Sequence, residues 1–285
     1  MGNMKKCEKR NGNCTAAVDP IDQLPVQCVG VWAKDKHHYL RNYLAATRNV
    51  RARFMPPKGT GGTALIDLFA GPGKARVREP VEFIDGSPLI ATSIPHREHG
   101  FTDIILCDID EENIAALQKR TEGDKRVTII GGDCNQTIDK VVGKIPPNGF
   151  AVALIDPFGA SNLKFETIRK LAAFPRMDLI IHFPLGSMKR NFLEHERFEG
   201  FLGLPRSRWG VDIVHGDDVR LLIPLFRRQL AMLGYPERGD VTYPSIKNMQ
   251  QVVLYHLVFA SKDSLGDKIW NSITAKLPSG QGRLF

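Results

Sequence analysis
Apolar residues along the chain fall into two alternating rhythms. Short unbroken apolar runs occur at 64–70, at 103–108 (DIILCD), at 127–130 (VTII), at 151–155 (AVALI) and at 178–183 (DLIIHF). Between them the spacing becomes helical. Residues 32–49 carry apolar side chains at 39, 40, 43 and 44. Ser87-Pro88 opens a helix as N-cap and first-turn proline, 111–120 places Ile114 and Leu117 on one face, and 163–174 reads as a further helix. Strands without polar alternation are covered on both faces, so the pattern predicts an α/β chain with a mostly parallel sheet between helical layers.

The rhythm changes after residue 188. Residues 188–240 read as a helical insert that serves as a substrate region. Val241–Tyr243 and Val252–Ala260 then read as a late antiparallel hairpin, followed by a helix over 264–276 with Ile269, Trp270 and Ile273 on its apolar face. The predicted organisation is a disordered basic tail at 1–22, a ligand-binding core at 23–187, the insert at 188–240, and final strands and helix at 241–285 that complete the core.

Ligands of such sheets bind beyond the carboxyl ends of the strands, so the residues at those ends carry the chemistry. The first strand ends in Gly71-Pro72-Gly73, the second in Asp108-Ile109-Asp110, the third in Gly131-Gly132-Asp133 and the fourth in Asp156-Pro157-Phe158-Gly159. Glycine lets a ligand approach the backbone, and an acid at the second tip can accept both hydroxyls of a ribose. Each feature alone has a plainer reading, a tight turn for the glycines and a helix N-cap for Asp110. Together they predict a nucleoside site. A dinucleotide fingerprint needs a third glycine running into a helix, and residues 74–76 are Lys-Ala-Arg. A Walker loop is also missing, because Ala75 follows Lys74. S-adenosylmethionine fits instead: it has a ribose, no pyrophosphate, and a sulfonium that an acid such as Asp67 favours.

Charge and cysteine content narrow the setting. The net charge is +8, with basic clumps at Lys5-Lys6, Lys9-Arg10, Arg48 to Arg53, Lys189-Arg190, Arg206 with Arg208, and Arg227-Arg228, which suits a polyanionic partner such as DNA or RNA. No apolar run is long enough to span a membrane. Five cysteines, an odd number, without a secretory leader point to the reducing cytoplasm. Cys7, Cys14 and Cys28 fit no zinc spacing.

The stretches IDLFAGPGKAR (66–76), IDGSPLIA (84–91), CDIDEENI (107–114), GGDCNQTI (131–138), IDPFGASNL (155–163) and LVFASKDSLGDKIW (257–270), with VGVWAKDKHHYLRNYL (29–44), resemble the three-Cys-motif partner protein (TcmP) family. This is a group similar to class I S-adenosylmethionine-dependent methyltransferases. The resemblance implies a Rossmann-like class I methyltransferase sheet. It implies that Asp67, Phe69, Gly71 and Gly73 surround the methionine part of the cofactor, that Asp108 binds the ribose, and that Asp133 lies near the adenine amine. It further implies that Trp32 and Lys36, which are similar to an N-terminal cofactor motif, bind the cofactor, and that Asp156, Pro157 and Phe158 stand at the catalytic position. In base-amine methyltransferases that position reads Asp/Asn-Pro-Pro-aromatic, and its first residue accepts from the amine. Here Phe158 and Gly159 replace the last two residues. The resemblance further implies a companion, a radical-enzyme-like protein bearing the three cysteines. That leaves a non-catalytic cofactor-binding partner subunit as the alternative to an enzyme. His182 reads as a satisfied strand-end histidine, and His37-His38 as helix surface.

Overall fold
The computed structural model describes residues 17–78, 80–191, 196–210 and 221–276, together with the short backbone pairs at 9–10 and 13–14. The strands, in chain order, are β1 (Lys9–Arg10), β2 (Asn13–Cys14), β3 (Gln27–Val29), β4 (Thr63–Asp67), β5 (Lys74–Val77), β6 (Glu82–Asp85), β7 (Asp103–Asp108), β8 (Val127–Gly131), β9 (Phe150–Ile155), β10 (Met177–Phe183), β11 (Ser245–Lys247) and β12 (Val253–Ala260). The helices are α1 (Trp32–Ala46), α2 (Arg48–Ala52), α3 (Ser87–Thr92), α4 (Glu111–Arg120), α5 (Cys134–Val142), α6 (Phe165–Ala172), α7 (Leu185–Arg190), α8 (Glu196–Leu202), α9 (Leu222–Ala231) and α10 (Ser264–Thr274).

The apolar runs form one seven-stranded sheet in the order β11-β12-β10-β9-β4-β7-β8. The five strands from β10 to β8 are parallel. β12 runs antiparallel to both β10 and β11. Every residue of β4 and β9 is buried, as unbroken apolar runs require. Alternate residues feed two cores. Ile66, Ile105 and Ala153 pack with α5, α6, α8 and α9 on one face. Leu65, Ile104 and Val152 pack with α1, α3, α4 and α10 on the other. The chain winds outward from β4 through β7 to β8, then returns to β9 on the opposite side of β4. That reversal opens a crevice at the carboxyl edge between β4 and β9.

Three parts differ from the sequence reading. Residues 74–85, to which the sequence pattern assigns no element, form β5 and β6, which join β3 in a separate three-stranded sheet. The turn after β4 therefore leads into a strand, not a helix, and α3 starts after Gly86 rather than using Ser87 as its cap. The hairpin's first strand is Ser245–Lys247, not Val241–Tyr243. The backbone of Thr242 is bonded to α10 instead: its N–H donates to Asn271 Oδ1 (3.0 Å) and its carbonyl accepts from Trp270 Nε1 (2.8 Å).

Of the tail expected over 1–22, most lies outside the described residues, but 17–22 is held on the core. Asp19 is buried and takes Lys74 Nζ at 3.0 Å, and Asp22 takes Arg120 Nε at 2.9 Å. Arg120 draws the Asp22 carboxyl far below the usual range. These pairs cancel the desolvation that buried acids would otherwise suffer. Among the described residues no helix is long and apolar enough to cross a membrane.

Candidate functional site at the carboxyl edge of the sheet
A cleft of about 340 Å³ opens at the crevice and gathers Trp32, Lys36, Phe69, Gly71, Asp108, Asp156, Pro157 and Phe158, all singled out from sequence. Three singled-out residues stand outside its lining. Gly73 shapes the turn, with φ of +91° and a carbonyl that accepts from Gly86 N–H at 2.8 Å. Asp133 caps α5, its Oδ1 accepting from the Asn135 N–H and Nδ2, each at 2.8 Å. Asp67 lies buried at the end of β4. A larger cavity, about 450 Å³, sits at the amino edge near Tyr43, Asp178 and Lys262, and none of the strand-tip acids reaches it.

The glycine turn and the second tip are tied together. Gly71, at φ of +60°, donates its N–H to Asp108 Oδ2 at 2.7 Å. Asp108 Oδ1 accepts from the Asp110 N–H (2.9 Å) and from Asn113 Nδ2 (3.1 Å). A side chain at Gly71 would require backbone strain at that positive φ. The carboxylate is thus fixed in direction with lone pairs to spare, and Ile109 beside it is 72% exposed, an apolar surface at the cleft's edge.

Asp67 explains the acid inside the first strand run. It is 1% exposed. Oδ1 accepts from the Phe69 N–H at 3.2 Å, and Oδ2 is buried with no partner within hydrogen-bond distance. Burial pushes the carboxyl up to about 6, against the pull of nearby Ser87, the Phe69 N–H and Lys36. Such an orphaned oxygen is costly. It fits a cationic ligand, an ammonium or sulfonium, better than it fits a dry core.

The cleft's chemistry centres on Asp156. Lys36 Nζ donates to its Oδ2, and His182 Nδ1 pairs with its Oδ1. Burial would raise this carboxyl, but Lys36 and His182 together hold it far below the usual range. Tyr255, from β12, lies against the His182 ring with centroids 3.8 Å apart. Sequence spacing did not reveal this arrangement. The signal was a polar residue near the end of an apolar strand: β9 and β10 pair Ile155 with Ile181, so His182 sits level with Asp156. His37, beside Lys36, is buried; its desolvation, chiefly, keeps it neutral by moving it down to about 3. Of the basic clumps, Lys5-Lys6 lies outside the described residues, and Arg48 and Arg51 line another cavity together with Arg41. Arg190 and Arg78 line the cleft, Arg78 lying 5.4 Å over the Trp32 ring, whereas Arg227 caps the Tyr243 ring at 4.9 Å on another face.

No protein-family model matches the chain, and no curated protein is a significant match. Solved structures are similar at low identity. A Legionella pneumophila protein of the family DUF519 is 10% identical over 89% of this chain and 95% of its own, with a TM-score of 0.49. The methyltransferase domain of a bacterial Hen1 is 14% identical over 78% and 99%, at 0.36. A SAM-dependent methyltransferase from Anabaena variabilis is 10% identical over 85% and 98%, at 0.34.

Proposed function
We propose that the protein is an S-adenosylmethionine-dependent methyltransferase acting on nucleic acid. The observation that carries this reading is the joined Gly71–Asp108 turn at the switch point, with the unpartnered Asp67 oxygen behind it. Asp108 would take the ribose, Phe69 and Gly71 the methionine part, and Asp67 the positive charge. Trp32 and Lys36 close the N-terminal side. When bound, the cofactor supplies an electrophilic methyl group. The chain then has to place a nucleophile in line and keep the approach dry.

The polyanionic substrate is supported by the cationic rim of Arg78 and Arg190 and by the exposed ring of Phe158. That ring is 66% exposed beside Asp156, where a flipped base or sugar would stack. The odd cysteine count favours a cytoplasmic setting, and the family resemblance adds a companion protein carrying three motif cysteines. Labelled-methyl transfer to total RNA and DNA tests the reading. Transfer should occur with the wild type and fall at least about 100-fold in Asp156→Ala, while cofactor binding survives. A companion assay that tolerates Asp156→Ala but fails with Asp108→Ala would instead show a binding subunit.

A further inference from the structure
An amine acceptor at the fourth strand tip would have to share the Asp156 carboxylate with two side chains that already hold it. Both of its oxygens are engaged, one by Lys36 and one by His182, and the pairing keeps it ionised and weakly basic. The more basic group beside it with an open lone-pair position is His182. Its Nδ1 is turned to Asp156, no partner among the described residues holds Nε2, and the side chain lines the cleft with 15% of its surface exposed. A carboxylate on one imidazole nitrogen fixes the tautomer that leaves the other nitrogen as acceptor. Tyr255 holds the ring in place from the third side.

We propose that His182 is the general base for a hydroxyl acceptor, with Asp156 and Lys36 as its positioning residues, so that the methylated atom is an oxygen. The proposal rests on the methyltransferase reading and deepens it. Within nucleic acid, a hydroxyl acceptor next to a base-stacking ring means the ribose 2′-hydroxyl, and therefore RNA. The hydroxyl oxygen forms its bond to the methyl carbon as its proton passes to His182 Nε2. The carbon–sulfur electron pair stays with sulfur, and the sulfonium's charge reappears on the imidazolium. Asp156 compensates that charge. Lys36 sits where a developing alkoxide gains from a cation. An exocyclic base amine needs no base before attack, which would leave the His182–Asp156 pair without a role. The charged and titratable groups that line the cleft with His182 are Asp156 and Asp108 from the strand ends, Cys28 from β3, Lys36 from α1, Arg78 after β5, Arg190 from α7 and Tyr255 from β12, and behind them Asp67 and His37 act on Lys36 and Asp156, and Asp35 on Tyr255.

The test combines product chemistry, variants and a readout that needs no turnover. Methylated RNA digested to nucleosides should carry the label as 2′-O-methylribose. Label on a base, or equal transfer to DNA, would overturn the assignment. His182→Ala should lose about 100- to 1,000-fold in transfer, keep S-adenosylmethionine affinity within about twofold, lose the acid limb of the pH profile, and regain activity with added imidazole. His182→Asn keeps an N–H for Asp156, so activity in that variant would show a structural role and overturn the base. In the free protein, ¹⁵N spectra at pH 8 should show His182 Nε2 unprotonated; an Nε2–H there would also overturn it. Loss of all transfer by a wild type that still binds the cofactor would instead contradict the methyltransferase reading, and the spectra would still report on the histidine alone.

Discussion

At Asp67 a cost in stability stands against the role proposed for it at the cofactor site. A carboxyl raised from 3.8 to about 6 by burial binds its proton more tightly folded than unfolded. The stability it contributes is therefore fully present below about pH 4 and lost as pH rises through 6. Asp178, buried against Tyr43 and also raised to about 6, acts in the same direction. Asp67→Asn should accordingly raise stability at pH 7, by up to about 3 kcal/mol at 1.36 kcal/mol per unit. It should change little at pH 4, and it should weaken cofactor binding. Urea unfolding midpoints at the two pH values check this. No gain at pH 7 would mean that Asp67 is charged at little cost. At this scale the tip residues were legible because each closes an apolar run. His182 and Tyr255 were not, because their partner is set by strand register: the His182–Asp156 bond spans 26 positions and joins two neighbouring strands.

The element that positions the site is the turn between β4 and β5. It was legible as a glycine turn and illegible as the start of a strand. Lys74 to Val77 is a short segment whose burial alternates, the central strand of the small sheet, and its partners are β3, far upstream, and β6. Gly73→Ala should cost about 1–3 kcal/mol through its positive φ and loosen the Gly73–Gly86 bond, read as a lower melting temperature with a larger loss of cofactor affinity than of fold. Helix α10 is the second such element. Its periodicity was plain from sequence, but its consequence for residues 241–243 was not, since the Thr242 backbone groups bond to helix side chains. Trp270 is fully buried and stacks on Phe259 at 4.9 Å between centroids. Trp270→Ala should cost about 3–5 kcal/mol, seen in denaturant unfolding. An effect under about 1 kcal/mol would contradict its place in the core.

For the whole molecule, the alternation of continuous apolar strands with amphipathic helices was enough to read the doubly wound sheet, and the late antiparallel strand followed from the hairpin pattern. The distribution of charge was not readable in the same way. Net charge is +8, and among the described residues the fold brings Arg78, Arg190 and Lys36 to the rim of this cleft and Arg41, Arg48 and Arg51 to another cavity. Binding to RNA should weaken with salt, and Arg190→Ala should lower the slope of log K against log salt by about 1. A slope unchanged in that variant would remove α7 from the substrate path.

The central claim is that the switch-point cleft binds S-adenosylmethionine through Asp108. Calorimetric titration of S-adenosylmethionine into the purified full-length chain, beside Asp108→Ala, tests it most directly. The predicted result is one-to-one binding by the wild type that weakens at least about tenfold in the variant, a loss of about 1.4 kcal/mol. Wild-type protein that binds no cofactor, alone and with RNA present, or an Asp108→Ala variant that binds as tightly as the wild type, would contradict it.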